Sequence, residues 1–249
     1  MARPPDWRRY RDRLSRIPEL RLNYDPELLL DETTREGWHV DEYEVDLPPE
    51  PPGDPLPASA PGASWATACR LVRDYRFPDP QLITGVFEPD GELDGRPMLL
   101  RARFLVFRFW FPVRVAEVVD DTRETDGGAA RVWGYSYTTL EGHFEKGQIW
   151  FTVWKWRRTG RVAFRIRAVS QPDRIRNPFY RLGFKLFGRT LQRRFALTAL
   201  ERMVALTRSE LDARSSAPDA AAPDAAGGPE VHALRDAPPS AQDALDGDA

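Results

Sequence analysis

The residues of this chain best suited to chemistry stand together in "TLEGHFEKG", residues 139–147, where Glu141, His143 and Glu145 alternate with small and aromatic residues. An imidazole beside a carboxylate can act as a base near neutral pH, because the carboxylate orients the ring and stabilises its charged form. The same residues could begin a metal centre, but such a centre needs three converging ligands, and His143 and Glu145 supply two. The third reading is a tight turn. Gly142 and Gly147 suit backbone positions with positive φ, as a loop between two strands requires. Catalytic and metal-ligating residues are therefore not assigned, and His143 and Glu145 are expected at the rim of a ligand site, where the turn would place them.

The flanking segments have strand composition. On one side, in residues 131–139, Trp133, Tyr135 and Tyr137 share a face. On the other, in residues 148–156, Trp150, Trp154 and Trp156 oppose Ile149, Phe151 and Val153. Aromatics on both faces imply that both are covered. They either pack as plain core or wall an apolar cavity of a few hundred Å³. In the cavity reading Tyr135 and Tyr137 are its polar handles, since buried phenols need partners. The expected ligand-binding set is then Tyr135, Tyr137, His143, Glu145, Trp150 and Trp154.

Composition narrows the classes. A chain of 249 residues with 41% hydrophobic content can bury a sizeable core. The single cysteine, Cys69, excludes an intramolecular disulfide or a cysteine metal cluster and fits a reducing compartment. The start "MARPPDWRRYRDRL" has no apolar stretch of a signal peptide, and the most apolar run, "FLVFRFWFPV", is broken by Arg108 and too short to span a bilayer. A cytoplasmic location and no membrane insertion are expected. Acids crowd residues 25–54 and bases crowd residues 155–208, while the net charge is only −2. Opposite segments that nearly cancel are expected to face each other or simply to stay solvated, so no nucleic-acid partner is inferred. There is no nucleophile elbow, phosphate loop or dinucleotide glycine pattern, and no cofactor is expected.

Four stretches organise the chain: an N-terminal segment (1–46), a proline-rich linker (47–64), a folded domain (65–208) and an acidic Ala/Pro-rich tail (209–249) expected to be disordered. In the domain, "SWATACRLVR" reads as a helix capped by Ser64 and stopped before Pro78. Six strand-like runs follow: "QLITGVFE", "PMLLRARFLVFRFWF", "VRVAEVVDD", the two flanks of the turn, and "GRVAFRIRAVS". From Phe179 to about Arg208 the spacing of Leu182, Leu186, Leu191, Phe195, Leu200, Met203 and Leu206 is helical. A sheet of this size has an apolar face to cover, and the long helix is the element available. The expected fold is α+β, a curved antiparallel sheet of about six strands wrapped on a long C-terminal helix. That order resembles the helix-grip plan of START-like, SRPBCC-like or Bet v 1-like proteins. A closed lipocalin-like barrel and a hot-dog fold are the rival layouts.

The motif carries a more specific resemblance. Tyr137, Thr139, Leu140, Gly142, His143, Glu145 and Gly147 resemble the signature of the DUF1990 family. The similarity runs on through "FRIRAVSQP" to "RLGFKLFGRTLQRRF", with its Gln-Arg pair, and back to "GWHVDEYEVDLPPEPP", about residues 36–206 in all. The sequence departs from the usual pattern at Thr138, at Glu141 and at Gln148–Ile149, where the family has Gly, Pro and two Glu. The resemblance implies a START-like fold and no established activity. The expected function is binding of a small hydrophobic or amphipathic ligand between sheet and helix. A scaffold or interaction module whose interior is filled by its own Trp and Phe is the alternative, and a cofactor-free enzyme using His143 is the third.

Overall fold

Alternation of apolar and polar residues sets the faces of a single sheet, and the computed structural model shows how its strands are ordered. It describes residues 5–29, 37–104, 107–172 and 178–216, with side chains of the last helix described from Thr190 onward. The elements are α1 (Arg11–Leu14), β1 (His39–Leu47), α2 (Ser64–Arg73), β2 (Ile83–Val86), β3 (Pro97–Phe104), β4 (Phe107–Arg123), β5 (Ala130–Thr139), β6 (Glu145–Trp156), β7 (Val162–Pro172) and α3 (Pro178–Ser215). Strands β2 to β7 run as an antiparallel meander, and β1 pairs with β7, giving seven strands in the order β1-β7-β6-β5-β4-β3-β2. A bulge between Val115 and Glu117 bends β4 and helps curve the sheet. Helices α2 and α3 cover one face, and this is the helix-grip arrangement.

The count is seven strands rather than about six because β1 is added from the N-terminal segment. "HVDEYEVDL" has the alternation of a strand, but its exposed face is acidic, which lowers its apparent strand propensity. The partners of those acids lie on β7 and just before it: Arg161 bridges Asp46 at 2.7 Å, Arg167 bridges Glu42 at 3.0 Å, and Arg161 and Arg165 both pair with Glu44. The acidic and basic segments do face each other. The run "PMLLRARFLVFRFWF" is a hairpin, β3 into β4, and β4 continues through Pro112. Leu105 and Val106, between these strands, lie outside the described residues.

The inner face of the sheet meets the helices in one core. Val113, Tyr135, Phe151, Val153, Phe164 and Ile166 pack against Ala68, Leu71 and Val72 of α2 and Ala199, Leu200, Met203 and Leu206 of α3. Leu191, expected as a core position, is only half-buried, and Leu182 and Leu186 lie outside the residues whose side chains are described. Helix α3 runs on to Ser215, past the expected domain limit at 208, because Leu211 is still buried. Residues 217–249, most of the expected tail, lie outside the described residues.

The proline-rich stretch is pinned by a buried pair. Glu50 and Lys155 have side chains that are 0% exposed, and the Lys155 ammonium donates to Glu50 Oε2 at 2.7 Å, to the Pro51 carbonyl at 3.0 Å and to the Asp54 carbonyl at 3.1 Å. The carboxylate also accepts the Leu56 amide at 3.1 Å and the Trp65 amide at 2.7 Å. It thus caps the start of α2, the role expected of Ser64, whose own hydroxyl is buried without a partner.

Candidate functional site

Strands β3 and β4 project beyond the end of β5, and the loop after β5 folds back over them. The loop is Leu140–Phe144, shorter than the expected eight residues because β6 begins at Glu145. Its turn closes with the His143 amide donating to the Leu140 carbonyl at 3.0 Å, and Gly142 takes φ 91°. Gly147 takes φ 140°, and a Cβ there would sit 2.0 Å from the Val169 carbonyl oxygen. Both glycines are therefore demanded by the hairpin, one by its turn and the other by close strand contact.

Thr139 locks the base of the loop. Its hydroxyl accepts the Gly147 amide at 2.9 Å and donates to Asn23 Oδ1 at 2.7 Å. The Asn23 amide in turn donates to the Glu145 carbonyl at 2.8 Å. His143 Nδ1 lies 3.0 Å from the Glu145 amide nitrogen and 3.1 Å from the Glu145 carbonyl oxygen, so the backbone of the loop itself holds the ring. The ring lies 4.7 Å from that of Phe111, which meets Phe144 at 5.0 Å.

Under this loop, between the inner face of the sheet and α3, lies a cavity of about 300 Å³. Leu100, Phe111, Ile149 and Ile166 wall it from the sheet, and Leu191 and Phe195 from the helix. Its polar lining includes Thr139, His143 and Glu145 from the hairpin, Gln192 from α3, and Asp41, Arg103, Gln148 and Ser170 from the strands. The Gln192 amide donates to Glu145 Oε1, tying the helix to the hairpin. Deeper in, Tyr137 presents its phenol. Burial pushes its pKa well above the usual phenol range, so it serves as a neutral hydrogen-bonding group and not as a base.

Three of the six expected ligand residues thus line the cavity together: Tyr137, His143 and Glu145. The other three lie elsewhere. Tyr135 is fully buried, and its hydroxyl donates to the Val72 carbonyl at 3.2 Å, a core contact with α2. Trp150 and Trp154 are on the opposite face, as strand alternation requires of residues out of phase with Ile149 and Phe151. There Trp150 Nε1 donates to Glu117 at 2.9 Å, and Trp154 lies under the Arg165 guanidinium at 4.2 Å. A long tryptophan ladder invites a pocket reading, but its arginine partners on β7 make it an outer surface. Gln192 and Phe111 were not singled out from the sequence. For Gln192 the signal was the Gln-Arg pair of the terminal helix; for Phe111 alternation alone could not place it, because "PMLLRARFLVFRFWF" reads as one strand where the structure has a hairpin. Among the described residues no three His, Cys, Asp or Glu side chains converge as metal ligands. No described helix is long and apolar enough to cross a membrane.

Residues 24–202 match DUF1990, a domain of unknown function, and the chain belongs to this family. No curated protein matches it. Solved structures similar to it include Ara h 8.0201, at 11% identity over 70% of this chain and 99% of that one, with a TM-score of 0.38. A point mutant of Thalictrum flavum norcoclaurine synthase in complex with a transition-state analogue is similar at 9% identity, covering 70% and 96%, with a TM-score of 0.41. The hypothetical protein jhp0584 from Helicobacter pylori is similar at 12% identity, covering 76% and 96%, with a TM-score of 0.43.

Proposed function

We propose that this DUF1990 protein binds a small apolar or amphipathic molecule in the cavity between its sheet and α3. The observation that carries the reading is the cavity itself, about 300 Å³ with largely apolar walls and a minority of polar groups among them. Protein interiors are close-packed, and unfilled spaces of this size are few. The volume lies at the low end of the roughly 300–1,000 Å³ usual for small-molecule pockets. An apolar body would lie against Leu100, Phe111, Ile166 and Phe195, and a polar end would meet the hairpin groups and Gln192. Against an interaction module with a filled interior stands the position of Trp150, Trp154 and Trp156, which occupy the outer face and leave the inner space unfilled. A cofactor-free reaction would need His143 as its base, and one of its ring nitrogens is already occupied by the Glu145 backbone within the loop.

Titration with the fluorescent apolar probe 1-anilinonaphthalene-8-sulfonate tests this. The wild type should take up the probe saturably, one per chain. Ala168→Phe, which puts a ring into the cavity from β7, should abolish uptake while the thermal midpoint holds. Equal uptake by both proteins would place the probe elsewhere and sink the proposal.

A further inference from the structure

We propose that the hydroxyls of Tyr75 and Tyr137 form an inner polar subsite of the cavity that selects an oxygen acceptor, a carbonyl or ether oxygen, on an otherwise apolar molecule. This rests on the reading of the cavity as a ligand site and adds the chemical class of its ligand.

Tyr75 is held in an unusual way. Helix α2 ends in a Schellman motif, with the Tyr75 amide bonded to the Val72 carbonyl at 3.0 Å and the Arg76 amide to the Leu71 carbonyl at 3.0 Å. The residue after the cap must then be left-handed, a place usually taken by glycine, and Tyr75 occupies it at φ 50°. A bulky residue there is strained, because its Cβ crowds the following carbonyl oxygen. The strain positions a phenol that a glycine could not supply. Its ring is fixed edge-on to Phe77 at 5.2 Å and to Phe151 at 6.1 Å. Gly85 makes room for it, since a Cβ at that position would come within 2.7 Å of the Tyr75 ring.

The ring brings a hydroxyl into the core beneath the cavity. Tyr75 Oη is buried and has no partner in hydrogen-bond geometry. Its ring also lies 6.3 Å from that of Tyr137, which lines the cavity, and the two hydroxyls interact without reaching normal bonding geometry. The third phenol of the group, Tyr135, is already committed to the Val72 carbonyl. Burial raises the pKa of Tyr75 and of Tyr137, so both keep their protons at any ordinary pH.

Tyr75 thus brings an unmatched proton beside Tyr137, which lines the cavity near the Glu145 carboxylate, and proton counting decides the ligand. If the ligand offers an acceptor, Tyr137 donates to it and its own oxygen is left to accept from Tyr75, so both protons are used in one chain. If the ligand offers a donor, Tyr137 accepts it and turns its proton to Tyr75, whose proton is then orphaned in the core. Leaving a buried donor unmatched is costly, while a chain of aligned hydroxyls strengthens each link.

Benzophenone and diphenylmethane share a shape and differ by one carbonyl oxygen, and titration of both into wild type, Tyr137→Phe and Tyr75→Phe tests the subsite. In the wild type benzophenone should bind about 3- to 10-fold more tightly than diphenylmethane, the worth of one net hydrogen bond. In Tyr137→Phe the ratio should fall to near one with diphenylmethane affinity retained, and in Tyr75→Phe it should fall part of the way. The infrared carbonyl stretch of bound benzophenone should lie at lower wavenumber in the wild type than in Tyr137→Phe, a shift that altered packing alone would not produce. A ratio of one in the wild type, or a ratio and stretch unchanged in Tyr137→Phe, overturns the subsite and leaves the cavity reading standing. If neither probe binds the wild type, the cavity reading falls and the subsite with it.

Discussion

Removing the Lys155 ammonium with Lys155→Met should destabilise the protein far more than any surface charge change. The side chain keeps its length, so little packing is lost. What disappears is a buried charge that donates to Glu50, to the Pro51 carbonyl and to the Asp54 carbonyl. The Glu50 carboxylate, 0% exposed, would keep the Leu56 and Trp65 amides and the favourable N-terminus of α2, but would lose its counter-charge. Breaking one side of a buried pair costs about 3–5 kcal/mol, and the surviving amides favour the lower part of that range. The matched double variant, Glu50→Gln with Lys155→Met, removes both charges and should lie closer to wild type than the sum of the two single losses, by about 1–3 kcal/mol of coupling. Urea denaturation gives the energies, and limited proteolysis shows whether residues 47–64 come free in the single variants. A loss below about 1 kcal/mol for Lys155→Met, or single losses that add in the double variant, would refute the view that this pair pins the proline-rich stretch to the sheet.

Other outcomes follow from the same geometry. Met203→Ala, at a fully buried position where α3 meets the sheet, should cost about 2–5 kcal/mol in denaturant melts, while Leu191→Ala, half-buried on the cavity wall, should cost less than about 2 kcal/mol. Gly142→Ala should cost about 1 kcal/mol, because φ is 91° but the space is open; Gly147→Ala should cost about 3 kcal/mol or more, because the added Cβ meets the Val169 carbonyl at 2.0 Å. Similar losses at the two glycines would contradict the hairpin register. For Glu44, burial opposes the charge, but hydrogen bonds from Arg161 and Arg165 outweigh it and hold the carboxyl below its ordinary value of 4.5. A lowered folded pKa adds stability above that ordinary value, and the contribution is lost as pH falls through the lower folded one. Glu44→Gln should therefore lower the thermal midpoint at pH 6 and narrow its gap to wild type as the pH falls below about 4.5; a gap independent of pH would count against the pairing.

Much of this was legible in the chain itself. Alternation in "GRVAFRIRAVS" and in the two flanks of the turn assigned the faces of β5, β6 and β7, because a strand's period of two is fixed by the backbone whatever packs on it. The glycines of the 139–147 stretch announced the turn, and the spacing of Phe195, Leu200, Met203 and Leu206 announced the helix that covers the sheet. Segregated charge left two outcomes open, segments that meet or segments that stay solvated, and the pairing of β1 with β7 is the first of them.

Which face becomes the cavity was decided only in three dimensions. Trp150 and Tyr137 have equal claims in sequence to a ligand site; only the side on which α3 packs separates them, and that choice depends on residues far apart in the chain. The same holds for Gln192, brought to Glu145 across 47 positions, and for Glu50, which caps α2 and holds Lys155 across 105. Tyr75 is the sharpest case. Its sequence neighbours suggest the end of a helix and nothing more. Its left-handed backbone and its unmatched hydroxyl beside Tyr137 arise because Phe77, Phe151 and Gly85 shape one space for its ring, and local propensity carries no trace of such a long-range fit.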